Sequence, residues 1–244
     1  MIRRTLTAAV AVVGLAAVAP LSASAARPEP GAHWAPKASS SARDAAGTCN
    51  LSVPTRVAIG RPELTLFGKL SGTCTANADP DSGWYLRHPS KGIVNEVIFD
   101  KEYEFGDGSW YVPSNHPIGV QEFYGVGSYN PDETTNTQNK VAVTVKLAAG
   151  AWISSSRTGD VVTLKGTSLL YSVSNNSYFK RSAAGVFQFR EKGSTTWQTL
   201  KGGLWTNSKG EVSLSYKYSK VRDYRFSLYS TSISWDLGSA VTTR

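Results

Sequence analysis

Apolar and polar residues alternate at every second position through most of this chain, and that pattern restricts the fold more than any other feature. NKVAVTVKL, residues 139–147, puts Val141, Val143, Val145 and Leu147 on one side and Lys140, Ala142, Thr144 and Lys146 on the other. GEVSLSYKY repeats the device with Val212, Leu214, Tyr216 and Tyr218, and VNEVIFD, VFQFRE, DYRFSLY and TLFGKL follow it. Side chains two apart share a face of a strand, so each segment reads as a half-buried β-strand. Gly, Pro, Asn and Ser turns separate them, and helical periodicity is hard to find beyond the N-terminus. Many short strands without crossover helices exclude a parallel α/β fold and imply an all-β chain. We expect antiparallel β-sandwiches.

The N-terminus is of another kind. MIRR is a short basic start, TLTAAVAVVGLAAVAPL an apolar core, and SASA supplies small residues ending at Ala25. This is the order of a secretory signal peptide, with Arg3-Arg4 raising a twin-arginine route. The apolar stretch is shorter than the roughly 20 residues of a membrane span, and no second one follows. No Cys for a lipid anchor lies near the cleavage site, and GSAVTTR at the C-terminus lacks a sorting signal. Residues 26–48 are rich in Ala, Pro and Ser, bury almost nothing, and read as a disordered spacer. The expected location is secreted and extracellular.

Residues 49–244 suit two domains, 49–148 and 149–244, parted near AAGA at residues 148–151. Each holds about seven short strands, the number of an immunoglobulin-like sandwich. The two cysteines, Cys49 and Cys74, predict a disulfide in the first domain, with a hairpin turning near Arg61-Pro62 to bring them together. Charge divides at the same boundary. Residues 49–148 carry 8 Lys/Arg against 11 Asp/Glu, net −3, and residues 149–244 carry 13 against 5, net +8. A basic domain can meet anionic surfaces or simply be solvated.

The second domain carries a recognisable pattern. Phe187 and Phe189 lie on an alternating strand, Gly193 in a turn, and Trp197 opens the returning strand. Thr206 and Gly210 form Thr-x-x-x-Gly, Val212 to Tyr216 alternate again, and Tyr224-Arg225-Phe226 closes the pattern. Over residues 160–240 this resembles the Ig-like domains of secreted actinobacterial proteins. The resemblance implies a non-catalytic scaffold or adhesion module. The first domain resembles it only loosely, through WYLRHPSKG and its closing strand.

Candidate chemistry is sparse. His33, His88 and His116 are far apart and no Cys/His cluster exists, so no transition-metal cofactor is expected. Asp100, Glu102, Glu104 and Asp107, with Asp79 and Asp81 as possible additions, offer hard oxygen ligands for Ca²⁺, although alternating acids also fit a solvated strand. No G-x-S-x-G elbow appears, and His88 and His116 sit beside prolines, so catalytic residues are not assigned. Aromatic residues are the better signal. Trp84-Tyr85 and Trp110-Tyr111 are adjacent pairs, which point to opposite faces of a strand and leave one ring of each able to face out. Trp84, Trp110, Trp205 and Trp235 are candidate ligand-binding aromatics. Trp197 either packs across strands or offers a platform. Lys180, Arg181, Lys217, Lys220, Arg222 and Arg225 are candidate anion contacts. The expected partners are an extracellular protein or an envelope polysaccharide, bound by exposed Trp and Tyr. A nucleic-acid partner is not expected of an exported chain.

Overall fold

The computed structural model describes residues 45–76, 81–130 and 132–244. The expected signal peptide, the spacer up to residue 44, His33 and Asp79 lie outside them. The chain is all-β, and alternating strands stack their apolar sides into two cores.

The first unit contains β1 (Ala45–Ser52), β2 (Arg56–Ile59), β3 (Glu63–Phe67), β4 (Lys69–Gly72), β5 (Asp81–His88), β6 (Gly92–Phe99), β7 (Ser109–Pro113), β8 (Gly119–Tyr129), β9 (Thr135–Gln138) and β10 (Val141–Leu147). Eight of these form one large sheet, and β3 pairs with β7 in a small one. Leu64 and Leu66 from β3 and Trp110 and Val112 from β7 pack against Trp84, Leu86, Phe123, Val143 and Val145 of the large sheet. The alternation of NKVAVTVKL is realised here: Val143 and Val145 are buried, while Ala142 faces out.

Three expectations need correction in this unit. It is not wholly antiparallel, because β1 runs parallel to β9 and β2 parallel to β10. The first strand begins at Ala45 rather than at Cys49, since the pairing of Ala45 to Cys49 with Thr135 to Gln138 extends the sheet into the expected spacer. The Cys49–Cys74 disulfide is present, with Cα atoms 5.2 Å apart, but it does not close a hairpin turning at Arg61-Pro62. β1 meets β4 directly, with Cys49 opposite Gly72, while β2 and β3 between them leave to pair with β10 and β7.

The second unit contains β11 (Ala149–Thr158), β12 (Val161–Ser172), β13 (Ser177–Lys180), β14 (Ala184–Glu191), β15 (Gln198–Trp205), β16 (Glu211–Lys217), β17 (Arg222–Leu228), β18 (Leu237–Gly238) and β19 (Thr242–Thr243). One sheet holds β11, β12, β13 and β16, and the other holds β15, β14, β17, β18 and β19. Between them lie Ala151, Val162, Leu164, Phe187, Tyr224, Phe226 and Leu228. Gly166 lets the sheets approach, since a Cβ there would sit 2.7 Å from the Phe226 ring. Among the described residues the units hold ten and nine strands, more than the about seven expected of each.

The sequence boundary is a continuous junction. β10 ends at Leu147 and β11 starts at Ala149, and the Ala148 N–H donates to Ile59 O at 2.7 Å. The end of β12 reaches into the first unit, where Tyr171 is buried in the first core. From the C-terminal segment, the Leu147 N–H donates to Ile233 O at 2.8 Å, and the Trp235 indole N–H donates to Val57 O at 2.8 Å. The Arg56 and Lys146 side chains both stack on the Trp235 ring, 4.2 and 4.4 Å from its centre, and Arg56 pairs with Asp236 at 2.6 Å.

Candidate functional site

The four tryptophans separate into three environments. Trp84 and Trp110 are fully buried in the first core, so neither is a ligand platform. Trp84 stacks edge-on to Phe99 and donates to Asn139 O at 3.0 Å, while Trp110 stacks edge-on to Phe123. In each adjacent pair the tyrosine is the ring that turns outward, because alternation leaves the large indole to fill the core and Tyr85 and Tyr111 half-buried. Trp235 is held at the junction of the units by two cations and a backbone carbonyl. Only Trp205 of the four is open, at 69% exposure.

Trp205 does not stand alone. Ala184 of β14 is its register partner in β15, and on the other side the Tyr229 N–H donates to Ala184 O at 3.2 Å. Leu228 and Gly185 point into the core, so Ala184 and Tyr229 lie on the outer side of this sheet. Trp205 and Tyr229, the latter 46% exposed, therefore flank a small residue in one cross-strand row. Two strand spacings place their backbones about 10 Å apart. The same face continues through Gln188, which accepts hydrogen bonds from Arg225 at 2.8 Å and Ser227 at 3.0 Å. At its far end Arg190 and Arg225 lie 4.8 and 4.4 Å from the centre of the Trp197 ring, so Trp197 packs on the strand surface beneath two guanidinium groups.

The six candidate anion contacts do not converge. Lys217 lies on β16 opposite Val161 on the outer face of one sheet, whereas Arg225 lies on the outer face of the other. Lys180 pairs with Glu211 at 2.6 Å and Arg222 with Glu191 at 2.5 Å, and each cation holds its carboxyl below the usual range. Arg222 also stacks on Tyr218 and Phe189. The Arg181 Nε–H donates to the main chain at Ser182 O. Lys220 is exposed, and its backbone carbonyl accepts from Arg157. The charge excess thus wraps the unit instead of forming one basic face.

The acidic run is turn chemistry. Asp100 accepts from the Glu102 N–H and Asp107 from the Ser109 N–H, each at 2.9 Å. Among the described residues no group of three or more carboxylates, histidines or cysteines could hold a metal ion, so Asp100, Glu102, Glu104 and Asp107 do not form the Ca²⁺ site considered from the sequence.

Two surfaces were not read from the sequence. One is the outer face of β11, β12 and β16, where Trp152 is 65% exposed beside a ladder that includes Ser154, Ser156, Thr163, Ser213 and Ser215. AGAWISSSRT lacks an apolar alternation strong enough to announce a strand; its apolar residues facing the core are Ala149, Ala151 and Ile153. The other is a cleft on the outer side of the first unit's large sheet, lined by Arg87, Glu122, Tyr124, Gly125, Gln138 and Lys140.

Fold and surface together define an all-β chain of packed sheets with two hydrophobic cores and open aromatic and polar faces. No protein-family description matches the sequence, and no curated protein does. Among solved structures, the FN1–FN3 domains of chicken CNTN1 share 11% identity, covering 79% of this chain and 62% of that one at a TM-score of 0.33. The D00–D0 domain of intimin also shares 11% identity, covering 80% of this chain and 98% of that one at a TM-score of 0.25.

Proposed function

We propose that this chain is an exported, non-catalytic binding protein of the cell exterior, and that its working surface is the outer face of the β15, β14 and β17 sheet. The observation that carries this reading is the row of Trp205 and Tyr229 across Ala184. Large exposed rings are costly to leave in water, and Trp and Tyr dominate the energetics of recognition surfaces. The signal-peptide pattern and the disulfide support export.

Within this reading, the row favours a carbohydrate. An open indole and an open phenol on the outer side of one sheet suit stacking on the sugar rings of a glycan. An adhesion partner made of protein is the other occupant of the same face. Retention of the mature chain on insoluble polysaccharides, run beside capture on the native cell surface, separates them. Trp205→Ala and Tyr229→Ala should each lower retention at least tenfold while leaving the unfolding midpoint within a degree or two. Unchanged retention in both variants, on both materials, rules out this face.

A further inference from the structure

We propose that the first unit carries a second binding site, a groove on the outer side of its large sheet that takes a carboxylate-bearing sugar. The groove is built by register. Tyr85 of β5 lies opposite Tyr124 of β8, and in the next row Arg87 of β5 lies opposite Glu122 of β8, which is itself opposite Ala142 of β10. Lys140 precedes β10 and reaches Glu122 at 3.2 Å. Ala142 leaves the floor low, the Gln138 side chain lies over Gly125, and Tyr124 is held edge-on by Tyr85, with ring centres 6.2 Å apart. Gln138 forms a fixed wall, donating to Gly83 O at 2.9 Å and accepting from the Gly127 N–H at 2.8 Å. A second depression, lined by Pro89, Val120 and Ala142, shares Arg87 and Glu122 with the first, so the groove continues across three strands.

The charge of the groove opposes that of its unit. Residues 49–148 are net −3, yet the groove sets Arg87 and Lys140 around the single carboxylate of Glu122. The Lys140–Glu122 pair is exposed, and such pairs contribute only about 0–1 kcal/mol, so an incoming anion displaces it at little cost. An arginine fork binds a carboxylate through two parallel hydrogen bonds. Glu122 then remains as an acceptor and selects a ligand that offers hydroxyl donors beside its negative charge. The Tyr124 ring supplies a stacking surface for a pyranose. An anion, neighbouring hydroxyls and a stackable ring in a continuing groove together describe an acidic polysaccharide of the uronate kind.

Calorimetric titration of the full mature chain with tetragalacturonate and with its methyl ester tests this site. The ester keeps every ring and removes the charge. The acid should bind, the ester at least tenfold more weakly, and Arg87→Ala and Lys140→Ala should each weaken the acid at least tenfold. Arg87→Lys, which keeps the charge without the fork, should fall between; both positions are exposed, and unchanged thermal midpoints verify the fold. Equal binding of acid and ester, no binding of either, or acid binding indifferent to both alanine variants overturns the proposal. The last outcome assigns the acid to cations of the second unit.

Discussion

At the scale of single residues, Thr-x-x-x-Gly in the second unit is a lock. The Thr206 hydroxyl lies 2.8 Å from the Ser168 hydroxyl and accepts the Ala183 N–H at 2.9 Å, with both Ser168 and Thr206 buried. Gly210 adopts φ +71°, and its carbonyl accepts the Ser168 N–H at 2.8 Å. A Cβ at Gly210 would meet Ser168 O at 2.6 Å in a backbone region that L-residues avoid. Thr206→Val keeps the shape and strands these partners, so chemical denaturation should show a loss of about 1–3 kcal/mol. His116 gives a pH signature. It is buried against Gln121, with Nε2 and Oε1 3.0 Å apart, and burial lowers its pKa below 6.5 despite that hydrogen bond, with His88 adding a smaller push in the same direction. The unfolded chain therefore binds a proton that the folded chain refuses. Stability from this site is full above about pH 6.5 and declines as pH falls toward the folded pKa. Thermal midpoints measured from pH 7.5 to 5 should fall, and less steeply in His116→Gln.

At the scale of elements, alternation made most strands legible, including the inward sides of β10, β14, β16 and β17. What it left undecided was which member of an adjacent aromatic pair faces out. Trp84 and Trp110 face in because the facing sheet leaves room for an indole there, and that depends on strands distant in sequence. β11 escaped notice for a related reason: Ser154, Ser155 and Ser156 contribute no pattern, and the strand is held by ten residue pairs with β12. The candidate binding row was half-legible. Trp205 was recognisable as an aromatic candidate, but the row it shares with Tyr229 rests on the pairing of β14 with β15 and β17. The disulfide belongs to this scale as well. Reducing it frees a loop with a sequence separation of 25, and the chain-entropy relation gives a loss of about 3 kcal/mol. Denaturant titration with and without reductant should show that loss, with a larger slope for the reduced protein as its unfolded state expands.

At the scale of the molecule, the two sandwiches share a junction that no sequence pattern marks, since Trp235 and Val57 are joined across 178 residues. The Arg56–Trp235–Lys146 stack and the Arg56–Asp236 pair tie the C-terminal segment to the first unit. Calorimetry of the intact protein should give one transition, and Trp235→Ala should split it into two. A separate consequence follows from Tyr171, which lies at the end of β12 yet is buried in the first core. That core lacks this ring until the chain has been made past residue 171. A first unit ending at residue 148 lacks part of its own interior. A fragment covering residues 45–148 should accordingly unfold at lower denaturant than one extended to residue 180, and the added stability should disappear in the longer fragment when Tyr171 is changed to Ala. The first core therefore takes one of its buried rings from a strand that is made only after residue 148.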